Sequence, residues 1–103
     1  MEVFLNNKEL EKLYTTGESR KLKLEKQVVE KFFATIQKIE SAVAVKDLLA
    51  DMGLRFEKIK GTEKSYSMRL SGKYRLEMEV EWLDEKNTIG KFFLKTISNH
   101  YGD

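Results

Sequence analysis

From Ser65 onward the chain alternates between polar and apolar positions. Tyr66, Met68 and Leu70 are apolar, and residues 65, 67, 69 and 71 between and around them are polar. The pattern resumes after Ser71 and Gly72, with Tyr74, Leu76, Met78, Val80 and Trp82 separated by Arg75, Glu77, Glu79 and Glu81. A period of two predicts two half-buried antiparallel strands joined by a tight loop. Residues directly opposite share a face, so apolar must meet apolar. Pairing Leu70 with Tyr74 and Met68 with Leu76 achieves this, leaving Ser71, Gly72 and Lys73 for the turn, where glycine tolerates positive φ. The same register sets Arg69 opposite Arg75 and Ser67 opposite Glu77 on the polar face. Even-numbered residues of the hairpin then face the core and odd-numbered ones face solvent and any ligand.

Before the hairpin the period changes. Residues 2–5 read as a short strand, with Asn6 or Asn7 as the cap of a short helix that carries Leu10, Leu13 and Tyr14. Residues 15–19 (TTGES) read as a turn. A second helical stripe starts at Leu22 or Leu24 and runs through Val28, Val29, Phe32, Phe33, Ile36 and Ile39, with Lys23, Glu25, Lys26, Glu30, Lys31 and Lys38 on its outer face. Ser41 is the expected cap of a third helix carrying Val45, Leu48, Leu49 and Met52, with Gly53 closing it. The remaining strands are expected near residues 55–59 and 91–98, with residues 84–90 as the turn before the last. Phe92, Phe93 and Leu94 break the alternation, which points to a last strand covered on both faces. Helices first and strands after predict an α+β fold: one domain over residues 1–103, with N-terminal helices packed on one face of a small antiparallel β-sheet.

Composition narrows the chemistry. A chain of 103 residues has no cysteine, no proline and one histidine. That excludes a disulfide framework, a cysteine zinc site and a two-histidine metal cluster within one chain. The lack of cysteine fits a reducing cytosol. No stretch has the length of a membrane span, and no signal peptide is evident. There is no glycine-rich phosphate loop and no GxSxG elbow. The net charge of +2 is too mild to argue for nucleic acid, but its distribution is uneven. Residues 55–75 hold seven basic residues against two acids, and an acidic run from Glu77 to Glu85 follows.

Two arginines set abreast repel each other, so they either splay into water or grip an anion between them. Arginine suits phosphate because its planar fork binds two oxygens at once. The candidate surface comprises Arg69, Arg75, Lys60 and Lys64, with Arg55, Lys58 and Lys73 near them in sequence, Tyr66 and Tyr74 interleaved, and His100 and Tyr101 at the end of the chain. It can hold a phosphodiester backbone and stack bases. It can also cleave RNA without a metal, because the 2′-OH is the nucleophile and the protein supplies a base, an acid and cations for the phosphorane. Tyr66 and Tyr74 share the parity of Met78 and Trp82, so core packing competes with base stacking for both. Glu77, Glu79 and Glu81 form either a solvated face, a wall against misplaced RNA, or a seat for a basic segment of a partner protein.

GLRFEKIKG followed by SMRLSGKYRL resembles the central signature of HigB-type killer toxins in the RelE/ParE superfamily. The matching positions are Lys60 and Gly61, then Ser67, Met68 and Arg69, then Tyr74, Arg75 and Leu76. The run from Lys12 to Ala42 also resembles the family's opening of a helix, a Thr-Gly turn and a long helix. The resemblance implies the RelE-like fold and the toxin of a type II toxin–antitoxin pair, one that enters the ribosomal A site and cuts mRNA there without a metal or other cofactor. It implies a helix-turn-helix antitoxin (HigA-like) as partner, and a cytoplasmic location. Carried over residue by residue, Lys60, Arg69 and Arg75 would position phosphate and stabilise the transition state, and His100 would be general acid or base. Arg55, Lys58, Lys64, Tyr66, Lys73 and Tyr101 would contact RNA. The chain departs from the family at Glu57, where a histidine is usual, and at Ser98 and Asn99, where Asp-Tyr precedes the histidine. A one-residue slip would make Tyr101 the substitute aromatic. Glu57 reads as an ordinary strand charge or as a general base. Two rival readings remain: a ParE-like toxin that binds DNA gyrase, and a non-cleaving binding member.

Overall fold

A computed structural model describes residues 1–99. The elements run β1 (Val3–Leu5), α1 (Lys8–Thr16), α2 (Lys26–Ser41), α3 (Val45–Leu49), β2 (Glu57–Lys58), β3 (Ser65–Arg69), β4 (Tyr74–Trp82) and β5 (Gly90–Asn99). They form one five-stranded sheet in the order β1-β5-β4-β3-β2. The fold is α+β, as the pattern predicts. The sheet is antiparallel from β5 to β2, and β1 joins β5 in parallel, with Phe4 opposite Phe93. A parallel partner needs a crossover, and here almost the whole chain supplies it.

Asn7 is the cap of α1. Its Oδ1 accepts the Glu9 and Leu10 amide N–H groups at 2.7 and 3.4 Å. Gly17, with φ at 77°, closes the helix by donating to the Leu13 carbonyl. The long helix starts at Lys26, later than the apolar stripe suggests. Lys23 has φ at 46°, in the left-handed region, so the chain turns there and Leu22 and Leu24 reach the core from a loop. Val28, Phe32, Ile36 and Ile39 form the buried stripe of α2. Thr35 is buried beside them, and its hydroxyl has no hydrogen-bond partner among the described residues.

The third helix is shorter than expected. Ser41 ends α2 and does not cap α3; the cap comes from Asp47, whose carboxylate accepts the Val43 and Ala44 N–H groups. Only Leu48 of its apolar set is buried, and Leu49 and Met52 are exposed. Lys38 of α2 ties the following loop through Asp51 at 2.6 Å.

The core lies between the helices and one face of the sheet. Leu10, Leu13, Phe32 and Leu48 meet Met68, Leu76, Met78, Val80, Phe92 and Leu94 there. Phe93 points the other way and stacks on Phe4, with ring centroids 5.0 Å apart. The β4–β5 pairing shifts between Glu77 and Met78: Glu77 faces Thr96 while Met78 faces Leu94, so Lys95 is an extra residue. This bulge changes the parity of β5, and the buried positions pass from Phe92 and Leu94 to Ile97. Asn7 holds it by donating from Nδ2 to the Lys95 carbonyl at 2.9 Å.

Candidate active site

The hairpin has the register its alternation predicts: Met68 opposite Leu76, Ser67 opposite Glu77 and Arg69 opposite Arg75. The backbone bonds specify the pair further. Leu70 donates to the Tyr74 carbonyl, whereas the Arg69 N–H turns away from β4 to the Leu54 carbonyl at 2.6 Å. Arg69 and Arg75 are therefore a non-hydrogen-bonded pair, the kind in which the Cα atoms approach to about 4.5 Å and the side chains lie closest. Both side chains leave from the sheet face opposite the helices.

The two guanidinium groups have different surroundings. Arg75 crosses β3 diagonally. Its Nε and Nη2 donate to Ser67 Oγ at 3.0 and 2.8 Å, and Nη2 also reaches the Arg55 carbonyl at 3.1 Å and Glu57 Oε1 at 3.3 Å. Its side chain is 19% exposed. Ser67 is buried on the helix-free face because this guanidinium covers it. The Arg55 carbonyl turns toward Arg75 where Arg55 takes φ at 48°, so local backbone shape builds the cradle. Arg69 is exposed, and its guanidinium makes no hydrogen bond or ion pair among the described residues. One arginine is fixed and the other is free to meet a ligand.

The turn places Lys73 at the same end. Ser71 Oγ accepts the Lys73 and Tyr74 N–H groups, and Lys73 Nζ lies 5.7 Å from the Tyr74 ring centroid. Other expected members are elsewhere. Lys60 and Lys64 are exposed in the β2–β3 connection, at the far end of β3 from Arg69, a strand length of about 13 Å. Lys58 is opposite Tyr66 and so leaves from the face away from the arginines. Tyr66 is a packing residue: its ring stacks on Phe56 at 5.0 Å and meets the edge of Trp82 at 5.8 Å. His100 and Tyr101 lie outside the described residues.

Two members were not assigned from sequence. Ser67 is an unremarkable polar position in an alternating strand, and only the register shows it beneath Arg75. Glu57, which reads as an ordinary strand charge or as a general base, makes an ion pair with Arg75. Among the described residues, no three carboxylates or histidines converge as a metal site.

The arrangement can hold an anion between one anchored and one free guanidinium, with a carboxylate at its border. The comparisons bear on whose surface this is. A family model described as the RelE-like toxin of the type II toxin–antitoxin system HigB matches residues 3–95. Among solved structures, a YoeB/ParE toxin from Agrobacterium tumefaciens superposes with a TM-score of 0.59 over 98% of this chain and 100% of its own, at 15% identity, a likeness of fold. A comparison with curated protein sequences found no match. The family match begins at β1, takes in both arginines and their cradle, and ends within β5, and by it the chain belongs to the HigB-like family of RelE-like toxins of type II toxin–antitoxin systems.

Proposed function

We propose that this toxin is a metal-independent endoribonuclease that cuts mRNA on the ribosome, with the scissile phosphate held between Arg69 and Arg75. The observation that supports it is the close, non-hydrogen-bonded arginine pair on the helix-free face, one guanidinium anchored by Ser67 and the other without a partner among the described residues. Like charges held abreast cost stability, and an anion between them removes that cost.

In this reading the 2′-oxygen of RNA attacks the adjacent phosphorus and the bond to the 5′-oxygen breaks. Charge grows on the phosphorane, where the Arg69 fork and the remaining N–H groups of Arg75 meet it. Glu57, paired with Arg75 at 3.3 Å, would take the 2′-OH proton. His100 would return a proton to the departing 5′-oxygen, an assignment that rests on sequence. The ribosome would supply much of the orientation, so a sparse protein site suffices. A cognate antitoxin is the partner that type II membership implies. No helix among the described residues is long and apolar enough to cross a membrane, and action on the ribosome would place the toxin in the cytoplasm.

Mapping RNA 5′ ends after induction tests the reading. New ends within translated mRNA are expected, and Arg69→Ala or Arg75→Ala should each lower cleavage by about 10²–10³-fold, as when one charge-stabilising donor is removed from an active site. Growth arrest with intact transcripts and a DNA-damage response would instead support a gyrase-binding toxin, a reading to which the ParE in the structural neighbour's name points. Full toxicity in both variants would end the proposal.

A further inference from the structure

The helix-free face of the sheet has a second half that the arginine site does not use. Along β4 it presents Arg75 and then Glu77, Glu79 and Glu81, spaced by about 6.7 Å, the two-residue step of a strand. Glu79 is opposite Phe93, and Glu81 is opposite Lys91. Glu79 makes an ion pair with Lys95 at 3.7 Å, both side chains more than a third exposed. Glu81 is exposed and makes no ion pair among the described residues. Beside this row lies the Phe4–Phe93 stack, with Phe4 38% exposed. Asn6, Lys64, Glu79, Glu81 and Phe93 line a shallow depression there.

We propose that this acidic and aromatic half is the seat of a cationic segment of the antitoxin, laid along β4 in line with the arginine pair. The proposal rests on family membership and not on the cleavage reading. Lys64, Lys91 and Lys95 border the row, but β4 itself carries only carboxylates on this face beyond Arg75, and that favours a cation laid along the strand. A phosphodiester backbone laid along β4 beyond Arg75 would meet carboxylates, whereas a protein segment with Lys or Arg every 6–7 Å would answer each one. That spacing is met by alternate residues of an extended chain or by positions i and i+4 of a helix. The aromatic stack gives the segment an apolar anchor, and the exposed carboxylates give it register and a fast encounter. A segment seated there that continues past Glu77 arrives over Arg75 and Arg69. One surface would then both bind the antitoxin and place it where it excludes an anion.

The test is the affinity of the full-length toxin for the antitoxin encoded beside its gene, measured by titration calorimetry without RNA. Glu79→Gln combined with Glu81→Gln should weaken binding by about tenfold or more at low salt, and the gap should close at about 0.5 M salt, where screening is nearly complete. Phe4→Ser, at an edge strand, should weaken it at both salt concentrations. Lys95→Ala, which releases Glu79, should tighten it. Circular dichroism confirms that each variant is folded, and growth arrest without antitoxin should persist in the glutamate variants. Unchanged affinity in the double glutamate variant and in Phe4→Ser overturns the proposal. So does unchanged antitoxin affinity combined with tighter RNA binding, which would make the carboxylates a wall against RNA. Because binding is read without RNA, a toxin that proves unable to cut mRNA leaves this result standing, and a lost docking site leaves the cleavage reading standing.

Discussion

Ser67 fixes the plane of Arg75: one hydroxyl oxygen accepts from both Nε and Nη2, at 3.0 and 2.8 Å. Two N–H groups of one fork sharing a single acceptor leave the guanidinium little freedom to rotate. The opposite edge of the fork, with Nη1, makes no hydrogen bond among the described residues and stays open to a ligand. A serine in the middle of a strand thus determines how an arginine on the next strand meets its ligand.

Ser67→Ala should lower cleavage by about tenfold while the protein stays folded. Hydrogen bonds to charged groups contribute about 1.5–3 kcal/mol when buried, and the partial exposure of Arg75 places the stability loss near the lower end. Titrating the inducer against growth arrest and comparing melting curves checks both parts. A loss of stability equal to global unfolding would mean that Ser67 holds the sheet and not the arginine.

Arg69 should behave differently. Its guanidinium has no partner among the described residues to lose, so Arg69→Ala should change stability by no more than about 0.5 kcal/mol, with relief of the repulsion from Arg75 tending to raise it. Toxicity should nevertheless be lost. Arg69→Lys should restore it only in part, because an ammonium cannot bind two phosphate oxygens with a planar fork. Chemical denaturation and growth arrest on the same three proteins separate the two effects.

Thr35 offers a stabilising change. Its buried hydroxyl has no partner among the described residues, and Thr35→Val keeps the shape while removing the unsatisfied group. Stability should rise by about 1 kcal/mol, the low end of the desolvation cost of such a group. The midpoint of urea unfolding should move upward with an unchanged slope.

Acid should weaken the fold through two carboxylates away from the arginine face. The Thr88 hydroxyl, with the Ile89 and Thr88 N–H groups, holds Asp84 below its ordinary value of 3.8. Lys38 holds Asp51 below the same value, with help from the Gly53 N–H. For a carboxyl depressed in the folded state, the stability it contributes is present above the ordinary value and is lost as pH falls through the folded one. The difference in melting temperature between wild type and Asp84→Asn should therefore be constant near neutral pH and shrink toward zero below about pH 3.8, where the wild-type carboxyl also becomes neutral. A difference that stayed constant through strong acid would show that Asp84 acts by shape alone.

The hairpin was legible because its alternation runs long on both strands and apolar pairing then selects the register. The arginine pair followed from that register directly. The start of α2 was not legible: Leu22 and Leu24 fit the helical stripe, and the left-handed turn at Lys23 has no glycine or asparagine to signal it. The same holds for Arg55, whose positive φ turns its carbonyl toward Arg75. Lys60 and Lys64 looked like neighbours of the arginines because they are close in sequence, but a strand separates them by its length. Lys58 leaves from the face away from the arginines, and Tyr66 packs on Phe56 and Trp82, the role that the parity it shares with Met78 and Trp82 offers. Antiparallel pairing was read for the whole sheet because strands near one another in sequence pair that way; β1, at the other end of the chain, had no such cue.

The extra residue at Lys95 sets the reading frame of the last strand. Upstream of it Phe93 looks outward, and downstream of it Thr96 and Ser98 do, beside Glu77 and Arg75. Flattening the bulge into regular pairing with Lys95 kept in the ladder would turn over everything beyond it, sending Ile97 into water and a serine into the core, whereas removing Lys95 would leave plain alternation with the same faces. The small hydroxyls next to Arg75 and the aromatic ring farther along share one face because the kink takes up the surplus residue, so this stretch should tolerate the loss of Lys95 better than the loss of the kink that accommodates it.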